Sequence, residues 1–354
     1  MITIKIPGRI CFFGDHQDYL QLPIIAGTID RYITLTATPI AASELRIALL
    51  DLALQKAIPL PYNEAALAPN DYFCSALYTL QAKGIRASQG YQIQIKGDLP
   101  INAGLSSSSA LVVAWIRFLL AAYAPQQLFS NKEIAQLAVT TEVHNFNQPG
   151  GIMDQFTIAQ GGLGYLEIAS QEWQPLQPQL GPLVVAVSGI KKQTLAVLQN
   201  ARSYAQEALA IIQKAHPNFN IHAATADTYA KFAHLLPQAL QPYWYAAVEN
   251  FRITKQAQQL LLASPAPVEP LGKLMNQHQE ILRSCIQNTP DPMHKMMQAA
   301  LEAGSLGAKI IGSGGGGAMV ALTPPKAQKQ VVEAFKTAGA VDAFPVTLMP
   351  PIKW

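Results

Sequence analysis

A serine-rich segment at residues 100–115, PINAGLSSSSALVVAW, constrains this chain more than any other part of it. Four consecutive serines stand where a loop passes into an apolar helix, so several backbone N–H groups are left unpaired at the positive end of the helix dipole. Anions bind at such helix starts. Gly104 lets the backbone approach a phosphate, and serine hydroxyls can bind Mg²⁺. The segment predicts a phosphate-binding loop, and a serine-rich cap on an ordinary helix is the alternative.

A glycine run, GSGGGGAMVAL at residues 312–322, is the second unusual segment. It satisfies the pattern GxGxxG, but a dinucleotide-binding fingerprint opens a helix early in a βαβ unit. This run lies near the C-terminus and precedes an apolar stretch typical of a strand, which argues against a Rossmann site. A loop made of glycine still indicates that another backbone or a ligand passes very close. The chain contains no GxxxxGK[ST] loop that would compete for phosphate binding.

The third segment, PGRICFFGDHQDY at residues 7–19, follows the first predicted strand. It places Arg9, Asp15, His16 and Asp18 in a short and otherwise largely apolar stretch. We expect a loop, held rigid by the neighbouring strand, that recognises hydroxyl groups. A solvated turn is the alternative interpretation.

Composition excludes several classes of protein. The net charge is +3 and no run of five or six Lys or Arg occurs, so neither nucleic acid nor a membrane is an expected partner. Cys11, Cys74 and Cys285 are odd in number and form no CxxC pair, which argues against a disulfide framework or a structural zinc site. The apolar stretch 111–124 contains Arg117 and is shorter than the ~20 residues of a membrane span. We expect a cytoplasmic protein without a signal peptide.

Residue periodicity predicts strands interleaved with helices in the first half of the chain. β-Branched and aromatic residues at or near period two predict half-buried strands at residues 2–6, 32–38, 44–50 and 91–96. Helices are predicted at residues 71–83 and 107–123, and a third begins at Ser130, which forms a capping-box pattern with Glu133. Glu142 and His144 fall at or just past the last turn of this third helix.

A proline-rich stretch, QEWQPLQPQLGP at residues 171–182, cannot continue a helix or a central strand. We therefore predict an N-terminal domain at residues 1–177 and a C-terminal domain at residues 178–354. Apolar patterning in the second domain predicts an α+β arrangement. Its expected elements are a strand at 183–187, helices at 194–215, 223–235, 243–263 and 272–286, a strand around 312–317, a helix after Pro325 and a strand at 344–348.

The three segments resemble the three motifs of the GHMP kinases, which are ATP-dependent small-molecule kinases. Residues 7–19 are similar to the galactokinase segment PGRVNLIGEHTDY, the run PxxxGLSSSSA to the second motif, and GAKIIGSGGGGAMVAL to the third. The motifs occur in the family's order. Residues 142–156, EVHNFNQPGGIMDQF, resemble a galactokinase stretch that ends in CGIMDQ, and residues 274–282 resemble a helix common in the family. Galactokinase-like sugar kinases are the most similar members.

This resemblance implies a fold and a reaction. The fold would be the α+β, two-domain GHMP kinase fold, with an N-terminal ribosomal-protein-S5-like domain, a C-terminal ferredoxin-like domain and the active site in the cleft between them. The reaction would transfer the γ-phosphate of ATP, with Mg²⁺, to a monosaccharide hydroxyl, the anomeric one by analogy with galactokinase. The sequence leaves the oligomeric state open.

The resemblance also assigns roles to individual residues. Asp154 would be the catalytic base, and Arg9 beside it would keep it ionised and steady the transferred phosphoryl group. Ser108 and Glu142 would bind Mg²⁺. The sugar-contacting positions would be Asp15, His16, Asp18 and Gly151. The ATP-binding positions would be Gly104, Leu105, Ser106, Ser107, Ser108, Ser109, Gly314 and Gly315.

Four positions depart from the galactokinase pattern. Asp15 replaces a Glu and is one methylene shorter, so its hydroxyl contact must shift or be lost. Gly150 replaces a Cys, Ser188 stands where relatives carry an acidic residue, and Pro69 lies where an aromatic residue is expected. The substrate is therefore open among galactose, L-arabinose, a uronic acid and related sugars.

Three other functions compete with a sugar kinase. Mevalonate-type kinases share the glycine and serine motifs but usually begin PGK, where this chain has Arg9. A non-catalytic sensor of the same fold would bind ATP and sugar without turnover. A serine hydrolase would use Ser188 and Lys191 in an SxxK arrangement, but the companion motifs of such enzymes are missing.

Overall fold

The computed structural model describes residues 1–63, 67–101, 103–148, 150–191 and 194–352. The larger of two sheets has strand order β4-β3-β5-β2-β6-β7, with β1 paired to β2. All pairs in this sheet are antiparallel except β3 with β5. Its strands are β1 (Ile2–Phe13), β2 (Ile24–Ile40), β3 (Glu44–Leu49), β4 (Leu54–Pro59), β5 (Gly90–Gly97), β6 (Leu163–Glu167) and β7 (Glu172–Leu176).

Four helices cover this sheet: α1 (Tyr72–Gln81), α2 (Ser107–Tyr123), α3 (Asn131–Glu142) and α4 (Met153–Gln160). Helix α2 is central, since nearly every residue from Ser109 to Leu120 is buried. A helix that is apolar on all sides can only lie in the interior. It packs on β1 and β2, and the other three helices pack around it. This packing fixes the start of α2, which carries the serine run, close to β1.

The second sheet is fully antiparallel, with strand order β11-β8-β10-β9. Its strands are β8 (Leu183–Val187), β9 (Gly307–Ile310), β10 (Ala318–Leu322) and β11 (Asp342–Val346). The accompanying helices are α5 (Thr194–Ala215), α6 (Thr228–Ala233), α7 (Gln241–Leu262), α8 (Val268–Ile281), α9 (Asp291–Glu302) and α10 (Gln328–Thr337). The mixed α+β class is thereby confirmed, while the domain division at residue 177 stays a prediction.

The two halves of the chain are joined through their cores. One apolar cluster runs through both sheets. A second cluster packs Tyr19, Leu20 and Leu22, from the loop after β1, against helices α5, α6 and α7. The loop that carries the acidic segment is thus anchored by helices from the other half of the chain. None of the described helices is long and apolar enough to cross a membrane.

Two predicted elements near the site were wrong. Residues 7–13 of the expected loop belong to β1, because Ile6 to Phe13 are buried on both faces and so show no alternation. The glycine run is a loop between β9 and β10 and not a strand. All five of its glycines have positive φ, a conformation incompatible with an extended strand.

Two helix bounds also differ from the prediction. The helix expected at 223–235 is reduced to α6, because the hydroxyl of Thr228 accepts a hydrogen bond from Thr225 N (2.7 Å) and favours a turn before it. The helix expected at 272–286 begins at Val268, and its last residues, from Leu282 to Ile286, form a π-helical turn.

Candidate active site

Arg9 and Asp154 form the central ion pair of the site. Strand β1 holds Arg9, which is almost fully buried, and the first turn of α4 holds Asp154. Nε of Arg9 donates to Oδ1 of Asp154 (2.8 Å) and Nη2 donates to Oδ2 (2.9 Å), while Nη1 donates to the carbonyl of Gly104 (2.7 Å). Burial opposes the charge of Arg9, but Asp154 offsets this and the pKa of Arg9 rises above its ordinary value. Arg9 therefore stays charged and ties α4 to the serine loop.

Ser106 supplies a third hydrogen bond to the same carboxylate. Its backbone is left-handed, with φ 57°, and its hydroxyl donates to Oδ2 of Asp154 (2.5 Å). Ser106 is the residue before α2 but makes no side-chain capping bond to that helix. The first N–H groups of α2 are therefore not capped by Ser106, as an anion-binding helix start requires.

Glu142, at the end of α3, meets the start of α2. Its carboxylate accepts a hydrogen bond from Gln155 Nε2 (2.7 Å) and interacts with the hydroxyls of Ser109 and Ser108. Burial raises the pKa of Glu142 above its ordinary value, although these hydrogen bonds oppose the shift. A buried carboxylate beside serine hydroxyls is an all-oxygen donor set that fits Mg²⁺.

The described residues contain no cluster of three or more His, Cys, Asp or Glu that could hold a metal ion. A site formed by Ser108 and Glu142 would contain few protein ligands. Such a sparse set suits Mg²⁺ in kinase sites, because this ion is usually bound by one or two carboxylates together with substrate phosphates and water.

Asp15 lies in a different environment from the one expected of a sugar ligand. It is 1% exposed, and its Oδ2 pairs with Nζ of Lys309 (2.6 Å) while its Oδ1 accepts the backbone N–H of Gly312 (2.8 Å). Burial alone would raise the pKa of Asp15, but the Lys309 ammonium holds it below its usual value. The carboxylate is ionised, and both of its oxygens are engaged by groups of the protein.

His16 contacts the glycine loop. Nε2 of its ring lies 2.9 Å from the carbonyl of Ser313, and Nδ1 lies 3.3 Å from the hydroxyl of Tyr19. Nε2 also lies 3.1 Å from Nδ2 of Asn288, so the tautomer of the ring sets which of these groups donates. The side chain of Asn288 also donates to the Ser313 carbonyl (3.2 Å).

Asp18 is the second acid of the segment and faces the cavity. Its Oδ1 accepts the N–H of Tyr19 (2.9 Å). Burial and, next, the negative charge of Asp154 raise the pKa of Asp18 to about 6. Its Oδ2 lies against Gly151, where an added Cβ would overlap the carboxylate. Gly151 thus leaves the space that Asp18 occupies.

The glycine loop is shaped by close backbone approaches. The N–H of Gly315 donates to the carbonyl of Asn288 (2.6 Å), and a Cβ at Gly314 would lie 2.5 Å from the same carbonyl oxygen. The hydroxyl of Ser188 donates to the carbonyl of Gly317 (2.7 Å). Other parts of the protein approach this loop closely, and their approach accounts at least in part for its glycines.

A cavity of about 270 Å³ lies where these segments meet. Predicted site residues that line it are Arg9, Asp15, His16, Asp18, Ser109, Glu142, Gly151 and Asp154. The other predicted residues do not line it: Gly104, Leu105, Ser106, Ser107, Ser108, Gly314 and Gly315. Leu105 is fully buried, and its carbonyl accepts the N–H of Arg9 (3.2 Å). One group of predicted residues thus lines the cavity. The other group lies in the serine-rich segment and in the glycine loop.

Sequence reasoning missed four residues of the site. Lys309 had a detectable signal, because it is a single charge inside the apolar run of the third motif. Gln155 directly follows Asp154 and was visible in the GIMDQ stretch. Tyr72 lines the cavity, and burial, followed by the charge of Glu142, raises the pKa of its hydroxyl. Asn288 stands in a loop with no local pattern that would mark it.

Comparison with known proteins agrees with this arrangement. The family profile "GHMP kinases N terminal domain" matches residues 71–162, and "GHMP kinases C terminal" matches residues 266–341. The galactokinase of Thermococcus kodakarensis is 28% identical over 91% of this chain and 89% of its own. The mevalonate kinase of Thermococcus onnurineus is 27% identical over 96% of this chain and 93% of its own.

A solved structure shares the fold. The crystal structure of Lactococcus lactis galactokinase complexed with galactose superimposes with a TM-score of 0.85, covering 99% of this chain and 95% of that one at 21% identity. Residues matched by each of the two profiles line the cavity. The whole fold is that of a two-domain GHMP kinase. The chain therefore belongs to the GHMP kinases and is a phosphotransferase with an alcohol group as acceptor.

Proposed function

We propose that the protein is a sugar kinase that transfers the γ-phosphate of ATP, with Mg²⁺, to a hydroxyl of a monosaccharide. The observation that carries this proposal is the Arg9–Asp154 pair, which faces a cavity also lined by Asp18, His16 and Glu142. The galactokinase resemblance favours the anomeric hydroxyl as the acceptor. Galactose, L-arabinose and a uronic acid are the first candidates.

In this proposal Asp154 binds and orients the acceptor hydroxyl. Three hydrogen bonds, two from Arg9 and one from Ser106, stabilise its ionised form. Such a carboxylate is a weak base, which suits phosphoryl transfer because the loose transition state needs positioning more than early proton removal. Asp154 takes the proton as the hydroxyl oxygen bonds to phosphorus and the ADP oxygen leaves.

The nucleotide phosphates are assigned to the start of α2 and to the glycine loop. The start of α2, where Ser106 makes no side-chain capping bond, favours an anion. Ser108 and Glu142 would hold Mg²⁺, which neutralises charge on the phosphates when it is bound. Arg9, whose guanidinium also reaches Gly104, stands between this region and the acceptor.

The chemistry of the cavity supports a polyhydroxylated substrate over mevalonate. The curated relatives include both kinds of kinase at nearly equal identity. Asp18 and His16 bring an acid and a polar ring to the cavity that Glu142 also lines, which suits several hydroxyl groups. A hydrolase using Ser188 is disfavoured, since the Ser188 hydroxyl is buried and already donates to Gly317.

Release of ADP over a panel of monosaccharides, uronic acids and mevalonate tests the proposal, with the product identified by its phosphorus NMR shift. We expect one or a few sugars to be turned over. Asp154→Asn should abolish this turnover and leave nucleotide binding largely intact, because the phosphate loops lie elsewhere. Asp227→Asn, at an exposed helix start, is the matched control.

Three results would contradict the proposal. Unchanged turnover in Asp154→Asn would remove this carboxylate from the chemistry. Binding of ATP and a sugar without ADP release would indicate a sensor, and turnover of mevalonate alone would assign the chain to the other branch of the family.

A further inference from the structure

Asp15 lines the cavity, yet both of its carboxylate oxygens are engaged by groups of the protein. Oδ2 is 2.6 Å from Lys309 Nζ, and Oδ1 accepts the N–H of Gly312. The side chains of Asp15 and Lys309 are both 0% exposed. A carboxylate with two such partners has little remaining capacity to accept hydroxyl hydrogens from a sugar.

Lys309 is equally committed. Besides Asp15, its ammonium donates to the carbonyls of Cys11 (3.2 Å) and Ile310 (2.7 Å), which uses all three of its N–H groups. The neighbouring His278 is neutral, because burial lowers its pKa to about 3. Lys309 is thus the counter-charge of Asp15, and a buried pair of this kind resists separation because either partner alone would be a desolvated charge.

The pair joins the loop after β1 to the glycine loop. Gly312 is the first residue of the glycine run, and Ser313, the second, is contacted by His16. Asp15 and His16 therefore fix the position of the first two residues of that run. Asp18 lies on another part of the cavity wall, where its Oδ2 lies over Gly151.

We propose that Asp15 is a positioning residue for the nucleotide, holding the glycine loop in place through Lys309 and Gly312, and that Asp18 is the acid of this segment that binds substrate hydroxyls. This inference rests on the proposed function, in which the glycine loop contacts the ATP phosphates. It moves Asp15 from the sugar site, where the motif places it, to the support of the ATP site.

The test measures binding of a fluorescent ATP analogue with Mg²⁺, in the absence of sugar, to Asp15→Asn, Lys309→Met and the double variant. The amide nitrogen that Asp15→Asn introduces cannot accept a hydrogen bond, so either Lys309 or Gly312 loses its partner. We expect each single variant to weaken nucleotide binding about tenfold. The double variant should be no weaker than the poorer single one, because the two residues act as one unit.

Asp18→Asn is the matched control, since it is the same substitution three residues away. It should leave nucleotide binding within about twofold of the wild type and should raise the KM for the sugar instead, an effect that Asp15→Asn should not show. Wild-type nucleotide binding by Asp15→Asn and Lys309→Met, or a rise confined to the sugar KM, would overturn the inference. Strictly additive effects of the two substitutions would do so as well.

Thermal melting shows whether a variant is folded. Asp15→Asn leaves the buried Lys309 ammonium without its counter-charge and could unfold for that reason. The double variant buries no unpaired charge, so it should fold, and the test then uses it. A measurement on the wild-type protein does not depend on the folding of any variant. The amide proton of Gly312, which donates to Asp15, should exchange slowly in NMR without ligands. Exchange as fast as that of an unprotected loop amide would overturn the inference. If no sugar is turned over, the proposed function is wrong. The nucleotide-binding and amide-exchange results would still decide whether Asp15 positions the glycine loop.

Discussion

Gly151 offers a sharp test of how the sugar wall is built. An alanine there would overlap Oδ2 and Cγ of Asp18 and would lie 3.1 Å from its Cβ. Its φ is not among the positive values of the chain, so the backbone accepts alanine without strain and the effect falls on Asp18. We expect Gly151→Ala to push the Asp18 carboxylate out of place and to weaken sugar recognition.

The size of the effect follows from the overlap. Ordinary non-bonded contact requires about 3.5 Å between heavy atoms, so the carboxylate must move by roughly 1.5–2 Å. Such a shift exceeds the range of a hydrogen bond. A hydrogen bond to a charged group contributes about 1.5–3 kcal/mol, so kcat/KM for the sugar should fall by roughly 10- to 150-fold.

Gly150→Ala is the matched control, because the nearest atom to its added Cβ is Cγ2 of Val143 at 4.0 Å. We expect near wild-type kinetics for Gly150→Ala, and for Gly151→Ala a raised sugar KM with an unchanged Kd for the nucleotide. Steady-state kinetics over the sugar, with melting curves for both variants, make the comparison. Equal kinetics in the two variants would refute the placement of Asp18 in the sugar site.

Two further predictions concern pH and Mg²⁺. The pKa of Asp18 is raised to about 6, so kcat/KM for the sugar should fall as the pH drops through about 6, and this step should vanish in Asp18→Asn. The folded protein binds this proton more tightly than the unfolded chain, so Asp18 adds stability as the pH falls from about 6 towards 4, and melting curves separate lost activity from unfolding. Gln155→Leu removes the hydrogen bond to Glu142, so the Mg²⁺ concentration for half-maximal activity should rise about 10- to 100-fold. An unchanged Mg²⁺ titration, or unchanged Mn²⁺ binding measured by electron paramagnetic resonance, would count against this role.

Local sequence patterns determined much of the architecture. The helix at 107–123 and the helix at 194–215 were predicted with the bounds that the structure has, and the strand at 183–187 likewise. Their periodicity and end signals lie within the segment itself, so no knowledge of distant residues is needed. The motif order likewise identified the family, because each motif is a short run of fixed residue types.

The sequence was less informative where burial removed the pattern. Residues 7–13 looked like a loop because their polar and apolar residues do not alternate, yet they lie in a strand buried on both faces. The glycine run looked like part of a strand because the apolar residues beside it do form one. In the first case other parts of the chain bury the second face of the strand, and in the second the positive φ of the glycines excludes an extended strand.

The partners of the polar atoms were decided by the tertiary structure alone. Asp15 and Asp18 are three residues apart in one motif, and the sequence assigned both to the sugar. In the structure Asp15 is paired with Lys309, which is 294 residues away, and Asp18 lies beside Gly151. A buried charge must find its counter-charge wherever packing brings one, and this depends on how β1 and β9 meet. The residue types therefore specify which chemistry is present, and the packing of distant segments specifies which of them remain available to a substrate.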